Sequence, residues 1–250
     1  MALIKKMKDY INSDHSDFKI FKLNYTDLEI KCIESFNIST SDQFDYMGNK
    51  NNMKNINTFL NNIGTNHKDN INILEKTIIK ILDNVLSAFD TDHFWISIRV
   101  SLPNDYFNIP RWHKDGTFFV NSKSKKSPKF ITVLKGPGTL LIKSTKKVNK
   151  IYYDISQKII EEFNKIKNQN TNELSKIDDK YRLIFSEALK NIKIIQPTNE
   201  ECVIFHPQLT KSTAGGIHSE PKIDTPRLFI SILPGSKEDV LKLEKRWKIK

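Results

Sequence analysis

A histidine and an aspartate two residues apart on a strand project to the same face and can grip one cation, because strand side chains alternate with a period of two. The sequence holds three such pairs: His15/Asp17, His67/Asp69 and His113/Asp115. His15/Asp17 precedes every clear strand and His67/Asp69 falls in an Asn-rich stretch, so both read as surface coincidences. Only RWHKDGTFFV sets the pair at the edge of a strand-like segment, with Gly116 easing the backbone beside it. Further on, GGIHSEP presents His218 in a Gly-rich approach, and His206, which ends the segment ECVIFHP, competes with it. Two imidazoles and one carboxylate form the facial ligand set of non-haem Fe(II), with three positions left open. The plainer alternative is a buried strand histidine bonded to Asp115, with His218 in a loop.

Nine residues beyond His218, TPRLFISILPG opens a strand with Arg227, which shares a face with Phe229, Ser231 and Leu233. A guanidinium there offers the planar fork that pairs with a carboxylate. Asp224 and Glu220 are near enough in sequence to be that carboxylate; a bound ligand is the other choice. Only five of the 40 basic residues are Arg (99, 111, 182, 227 and 246), so a well-placed one is informative. Arg99 shares a face with Ser97 and Ser101, and Arg111 and Trp112 stand beside His113. These three are candidates for the substrate mouth, against a surface salt bridge for Arg99 and plain packing for Trp112.

The elements that position these residues follow from periodicity. In FWISIRVSL, apolar Phe94, Ile96, Ile98, Val100 and Leu102 alternate with Trp95, Ser97, Arg99 and Ser101, which predicts a half-buried strand. Further strand-like segments are HKDGTFFV, KFITVLK, GTLLIK, IKIIQP, ECVIFHP and RLFISILPG. Gly136-Pro137-Gly138 between the second and third predicts a hairpin. Over 72–89, Leu74, Ile78, Ile81, Leu82, Val85 and Phe89 make one helical stripe. Helical periodicity at about 152–191 reads as an insertion, and Ser236 three residues before Asp239 starts a last helix, 236–250. The expectation is one domain over 1–250, α+β in class. A helical and irregular region, 1–93, supports a jelly-roll core over 94–235. NKNNMKNINTFLNNIGTNHKDN shows no strong period and reads as a surface excursion.

The order of HxD, a distal His about a hundred residues on, and Arg nine residues later on the next strand resembles the Fe(II)/2-oxoglutarate-dependent dioxygenase superfamily. The resemblance covers roughly 94–235 and implies a double-stranded β-helix, a cupin-like jelly roll. It also implies an oxidoreductase that uses O2 and 2-oxoglutarate to hydroxylate or demethylate a substrate, with release of succinate and CO2. Carried over residue by residue, Fe(II) falls to His113, Asp115 and His218, and the far carboxylate of 2-oxoglutarate to Arg227. Many members carry Ser or Thr two residues after the Arg; here that residue is Phe229. Ser231, Thr132 or Tyr106 is expected to supply the second partner.

Composition bounds the rest. The net charge of +11 comes mainly from 35 Lys and reads as a solvated surface from an AT-rich genome. Nucleic acid stays an option that is not favoured, since no second Arg follows Arg227 before Arg246. A protein side chain, a nucleobase and a small molecule all remain open as substrate. No apolar run approaches the roughly 20 residues of a membrane span, and the N-terminus does not read as a signal peptide. Cys32 and Cys202 stand alone, which points to a reducing intracellular compartment, cytoplasmic or nuclear. Two rival readings are a metal-binding barrel with another activity and a non-catalytic lysine-rich binding module.

Overall fold

A computed structural model describes residues 2–13, 17–53, 55–116, 118–119, 128–165, 171–207 and 215–247. The chain opens with α1 (Ala2–Ile11), β1 (Phe18–Lys22), α2 (Asp27–Ser35), β2 (Asp42–Asn49), α3 (Ile56–Asn62) and α4 (Lys68–Phe89). It continues with β3 (His93–Ser101), β4 (Lys129–Lys135), β5 (Leu140–Ile142), α5 (Lys146–Lys165) and α6 (Thr171–Leu189). It closes with β6 (Ile194–Ile195), β7 (Glu201–Phe205), β8 (Ile217–Ser219), β9 (Arg227–Gly235) and α7 (Lys237–Trp247). The strands form a six-stranded sheet in the order β1-β7-β4-β9-β3-β2 and a three-stranded sheet in the order β6-β5-β8. All recorded pairings are antiparallel, so the architecture is mixed helix and antiparallel sheet.

Period-two alternation divides each strand between two environments. Ile96 and Ile98 of β3, Phe130 of β4, Ile204 of β7 and Ile230 and Ile232 of β9 form one core with the α4 stripe Leu74, Ile78, Ile81, Leu82 and Val85. The same core takes residues from α1, α2 and α3. On the opposite face of the large sheet, Ile131, Val133, Val203, Phe205 and Phe229 pack against Leu141 of the small sheet. The outer neighbours of Leu141 and His218, namely Ile142 and Ile217, instead join Val148 and Ile155 of α5 and Tyr181 and Phe185 of α6. The layers are therefore helices, large sheet, small sheet and the α5–α6 pair.

Several expectations change here. KFITVLK and GTLLIK do not form a hairpin: β4 pairs with β7 and β9, while β5 pairs with β6 and β8. Gly136-Pro137-Gly138 carries the chain from one sheet to the other. Gly136 has φ +87°, and a Cβ there would stand 2.6 Å from the Pro226 carbonyl oxygen; one on Gly138 would stand 2.0 Å from that of Pro197. The glycines admit two crossing backbones rather than a tight turn. The Asn-rich stretch is not a surface excursion either, because Ile56, Phe59, Leu60 and Ile63 are buried in the main core. A seven-residue helix is too short for its period to stand out among asparagines. HKDGTFFV yields a single bridge, at His113, among its described residues; Thr117 and Val120 lie outside them. Helical periodicity over 152–191 falls on α5 and α6, and Ser236 accepts from the Asp239 amide at the start of α7. Residues 248–250 of that segment lie outside the described residues. Among the described residues no helix is long and apolar enough to cross a membrane.

The sheet-to-sheet passage yields a test. Gly136→Ala places a Cβ in a left-handed conformation and against the Pro226 carbonyl, a cost of about 2 kcal/mol or more. A denaturant melt of the variant should show that loss, whereas Gly116→Ala, with open space at its Cβ, should cost less.

Candidate metal centre

His113 and His218 face each other across two main-chain hydrogen bonds, His113 N–H to His218 O at 2.9 Å and the reverse at 3.0 Å. They form an isolated antiparallel bridge that adds a fourth line of backbone to the small sheet beside β8. This register sets the two imidazoles side by side, with ring centroids 4.2 Å apart. Asp115 follows His113 by two residues, and the three side chains offer ligand atoms within 4.8 Å of one another. His218 therefore sits on a strand, not in a flexible loop, and is buried.

The hydrogen bonds fix what each ring presents. Nδ1 of His113 lies 2.8 Å from the Arg111 carbonyl oxygen, and Nδ1 of His218 lies 3.0 Å from that of Gly216. A carbonyl oxygen only accepts, so each Nδ1 carries the proton and each Nε2 keeps its lone pair. A backbone partner on the distal nitrogen is the usual way a protein orients a metal-binding imidazole. Nε2 of His218 stands 3.8 Å from Asp115 Oδ1. The other Asp115 oxygen accepts from Lys129 Nζ at 2.9 Å, a pair with side chains 8% and 14% exposed. Burial alone would raise the Asp115 carboxyl, but the Lys129 ammonium beside it, foremost among its charged neighbours, brings it down to about 2. Burial and the neighbouring His113 push His218 down to about 4, so it is neutral at physiological pH. Two imidazole Nε2 atoms, each oriented by its own Nδ1 hydrogen bond, and an ionised carboxylate fit a divalent first-row metal with open positions.

The centre lies in a cavity of about 260 Å³ between the sheets, also lined by Arg99, Arg111, Ile131, Glu220, Arg227 and Phe229. The bridge register, carried two residues outward, sets Arg111 opposite Glu220, and Arg111 Nη2 donates to Glu220 Oε1 at 2.9 Å. Arg227 is 6% exposed. Its Nε donates to the Pro137 carbonyl oxygen at 2.9 Å and its Nη2 to Thr139 Oγ1 at 3.1 Å, both neutral acceptors. Burial lowers its pKa to about 10, which still leaves it charged. Neither protein carboxylate forms an ion pair with it: Glu220 bonds Arg111 and Asp224 pairs with Lys222 at 3.1 Å, although the Glu220 charge still favours the cation at longer range.

Other candidates lie elsewhere. Trp112 has the opposite parity to His113 and is buried with Ile142 and Ile217 against α5 and α6, away from the cavity. Thr132 is on the helix-facing side of β4 and donates to the Glu201 carbonyl oxygen. Tyr106 is 65% exposed, and its carbonyl accepts from Arg182. Ser231 shares the Arg227 face and is buried, but it stands four residues, about 13 Å, along the strand. His206 stacks on Tyr10 at 5.7 Å between ring centroids and is not grouped with the triad. His67 precedes α4 as its N-cap residue. His15 lies outside the described residues, while its neighbour Asp17 is half-buried and accepts from the Ser144 amide. Lys129 carried no sequence signal among so many lysines; Glu220 did, as the second residue after His218.

No family model matches the chain, and no curated protein matches it. Among solved structures, the fold is similar to a prolyl-4-hydroxylase from Pseudomonas putida, at 6% identity over 93% of this chain and 98% of that one, with a TM-score of 0.42. It is also similar to a prolyl hydroxylase from Trichoplax adhaerens in complex with a hypoxia inducible factor oxygen degradation domain peptide fragment. That match has 7% identity over 96% of this chain and 92% of that one, with a TM-score of 0.39. A third is a dioxygenase for auxin oxidation in rice, at 6% identity over 94% and 80% of the two chains, with a TM-score of 0.38.

The depressed pKa of His218 has a defined sign. Between the ordinary histidine value of 6.5 and about 4, the unfolded chain takes up a proton that the folded chain refuses, so stability falls as pH falls through that window. The metal-free protein should lose a few kcal/mol there. In His218→Asn this component should vanish, which melts recorded from pH 7 to pH 4 would show as a flatter profile.

Proposed function

We propose that this protein is an Fe(II)- and 2-oxoglutarate-dependent oxygenase on a double-stranded β-helix. One observation carries the reading: a His-Asp-His cluster with two oriented Nε2 atoms shares its cavity with a buried guanidinium whose hydrogen bonds, among the described residues, go only to neutral acceptors. A metal barrel of another kind has no need of that cation. The two facing antiparallel sheets, with the cluster between them, support the β-helix.

In this reading His113, Asp115 and His218 hold the iron, and Arg227 binds the far carboxylate of 2-oxoglutarate. With both bound, the group would couple O2 to the oxidative decarboxylation of 2-oxoglutarate, one oxygen atom going to succinate as CO2 leaves and the other to a substrate C–H bond, giving a hydroxylated product or, at an N-methyl group, a demethylated one. The protein's own part is orientation. Lys129 holds the outer oxygen of Asp115, which leaves Oδ1 turned toward His218. The Nδ1 hydrogen bonds fix the planes of both rings. Ile131 and Phe229 line the cavity with apolar surface, which strengthens every charge interaction inside it. Arg111 is proposed at the substrate side. The substrate class stays open among a protein side chain, a nucleobase and a small molecule.

Anaerobic titration with Fe(II) and then 2-oxoglutarate tests the reading through the weak visible charge-transfer band of the chelate. Wild type should develop the band. His113→Ala or Asp115→Ala should abolish metal binding at micromolar metal while the chain stays folded. Arg227→Ala should keep the metal but weaken 2-oxoglutarate by about 2–5 kcal/mol, and Arg227→Lys should recover only part, since a point charge lacks the fork. Equal 2-oxoglutarate binding by wild type and Arg227→Ala would hand the site to a metal barrel of another activity. Salt-sensitive polyanion binding without metal dependence would favour the lysine-rich binding module.

A further inference from the structure

Among the described residues, the cavity wall holds four cations and two carboxylates: Arg99, Arg111, Lys129 and Arg227 against Asp115 and Glu220. Two of the cations are matched, Arg111 by Glu220 and Lys129 by Asp115. Among the described residues, Arg227 has only neutral hydrogen-bond partners, and Arg99 Nε is buried without a hydrogen-bond partner. The β3–β9 register pairs Arg99 with Phe229 and Ser101 with Arg227. Arg99 and Arg227 are therefore diagonal neighbours on one face, roughly 7–8 Å apart at the backbone and within reach of each other's long side chains. Both guanidinium groups lie against a single ring: Cζ of Arg99 is 5.6 Å and Cζ of Arg227 4.8 Å from the Phe229 centroid. Arg99 makes Arg227 costlier to keep charged, a repulsion that a shared anion would relieve.

Arg227 is also a partly spent donor. Its Nε is committed to Pro137 and one Nη2 hydrogen to Thr139, so only its outer hydrogens remain for a ligand. A carboxylate has two oxygens and about four acceptor sites, more than that remainder serves. At the point where a neighbouring hydroxyl might have helped, two residues after Arg227, the chain has Phe229. The ring has no donor of its own, but it backs a second guanidinium.

We propose that Arg99 and Arg227 together clamp the far carboxylate of the dicarboxylate cosubstrate, with Phe229 as the apolar plate on which both guanidinium groups rest. This rests on the oxygenase reading above and assigns Arg99 to the cosubstrate rather than to the substrate mouth. Phe229 then holds the two cations apart in the empty cavity and presents both to one anion in the filled one.

The test is calorimetric, without O2, on protein loaded with Mn(II). The probes are 2-oxoglutarate and pyruvate, a 2-oxo acid that lacks the far carboxylate. Arg99→Gln should weaken 2-oxoglutarate at least tenfold and leave Mn(II) affinity and pyruvate binding within twofold of wild type. Arg99→Lys should recover part of the 2-oxoglutarate affinity. Without ligand, Arg99→Gln should melt no lower than wild type, because its removal relieves repulsion. If Arg99→Gln binds 2-oxoglutarate as wild type does while Arg227→Gln does not, the clamp is wrong and Arg227 acts alone. If wild type binds Mn(II) but shows no preference for 2-oxoglutarate over pyruvate, the cosubstrate reading itself fails and the clamp falls with it.

Discussion

Two main-chain hydrogen bonds between His113 and His218 are the constraint on which the rest of the cavity depends. They join residues about a hundred positions apart and fix the parity of everything beside them. Once the two histidines face inward, Trp112 and Ile217 must face outward, where α5 and α6 cover them. Arg111 and Asp115 must face inward with His113, and Glu220 with His218. One backbone register thus decides which side chains reach the cavity and which build the layer behind it.

The same register makes the cavity electrostatically uneven. Charges buried at low dielectric are expensive unless matched, and the wall matches two of its cations directly. The cations near the His-Asp-His end and at the rim have acidic partners from the chain. Those around Phe229 have no ion pair among the described residues, and the backbone at Pro137 and the hydroxyl of Thr139 offer Arg227 only neutral acceptors. An interior left with positive charge at one end and lone pairs at the other suits a ligand that bridges the two.

Legibility in the sequence followed the length and regularity of each element. β3, β9 and α4 are long and strictly periodic, so their faces could be read directly, and Arg99, Arg227 and Phe229 came with them. The gathering of His113, Asp115 and His218 was legible from spacing and order, although the strand beneath His218 is only three residues long and read as a loop. β1 and α3 were hidden because five and seven residues, interrupted by Lys and Asn, give little period, and β2 because DQFDYMGN has no clean apolar alternation. Parity would have separated Trp112 from Arg111, since neighbours on an extended chain cannot both face one cavity. The role of Gly136-Pro137-Gly138 was not legible: glycines that admit a crossing backbone and glycines that close a hairpin look alike until the partner strands are known. Lys129 was invisible for a different reason, composition, since one lysine in 35 carries no weight without its neighbours.

The strand order of the large sheet also dictates when the molecule can come into being. β9 is the last strand in the chain, yet it lies between β4 and β3, near the middle of the order β1-β7-β4-β9-β3-β2. During synthesis, β2 and β3 can pair early as a ribbon, and β1, β4 and β7 can pair as a second one. Neither ribbon has its inner edge covered until residues 227–235 emerge, and such open edges are sticky. Pairings this distant along the chain also fold slowly. A ribosome that stalls before Arg227 would release two half-sheets, and the segment that welds them is the one that brings the cavity its buried guanidinium. Completion of the fold and completion of the cationic end of the cavity are thus one event on the nascent chain.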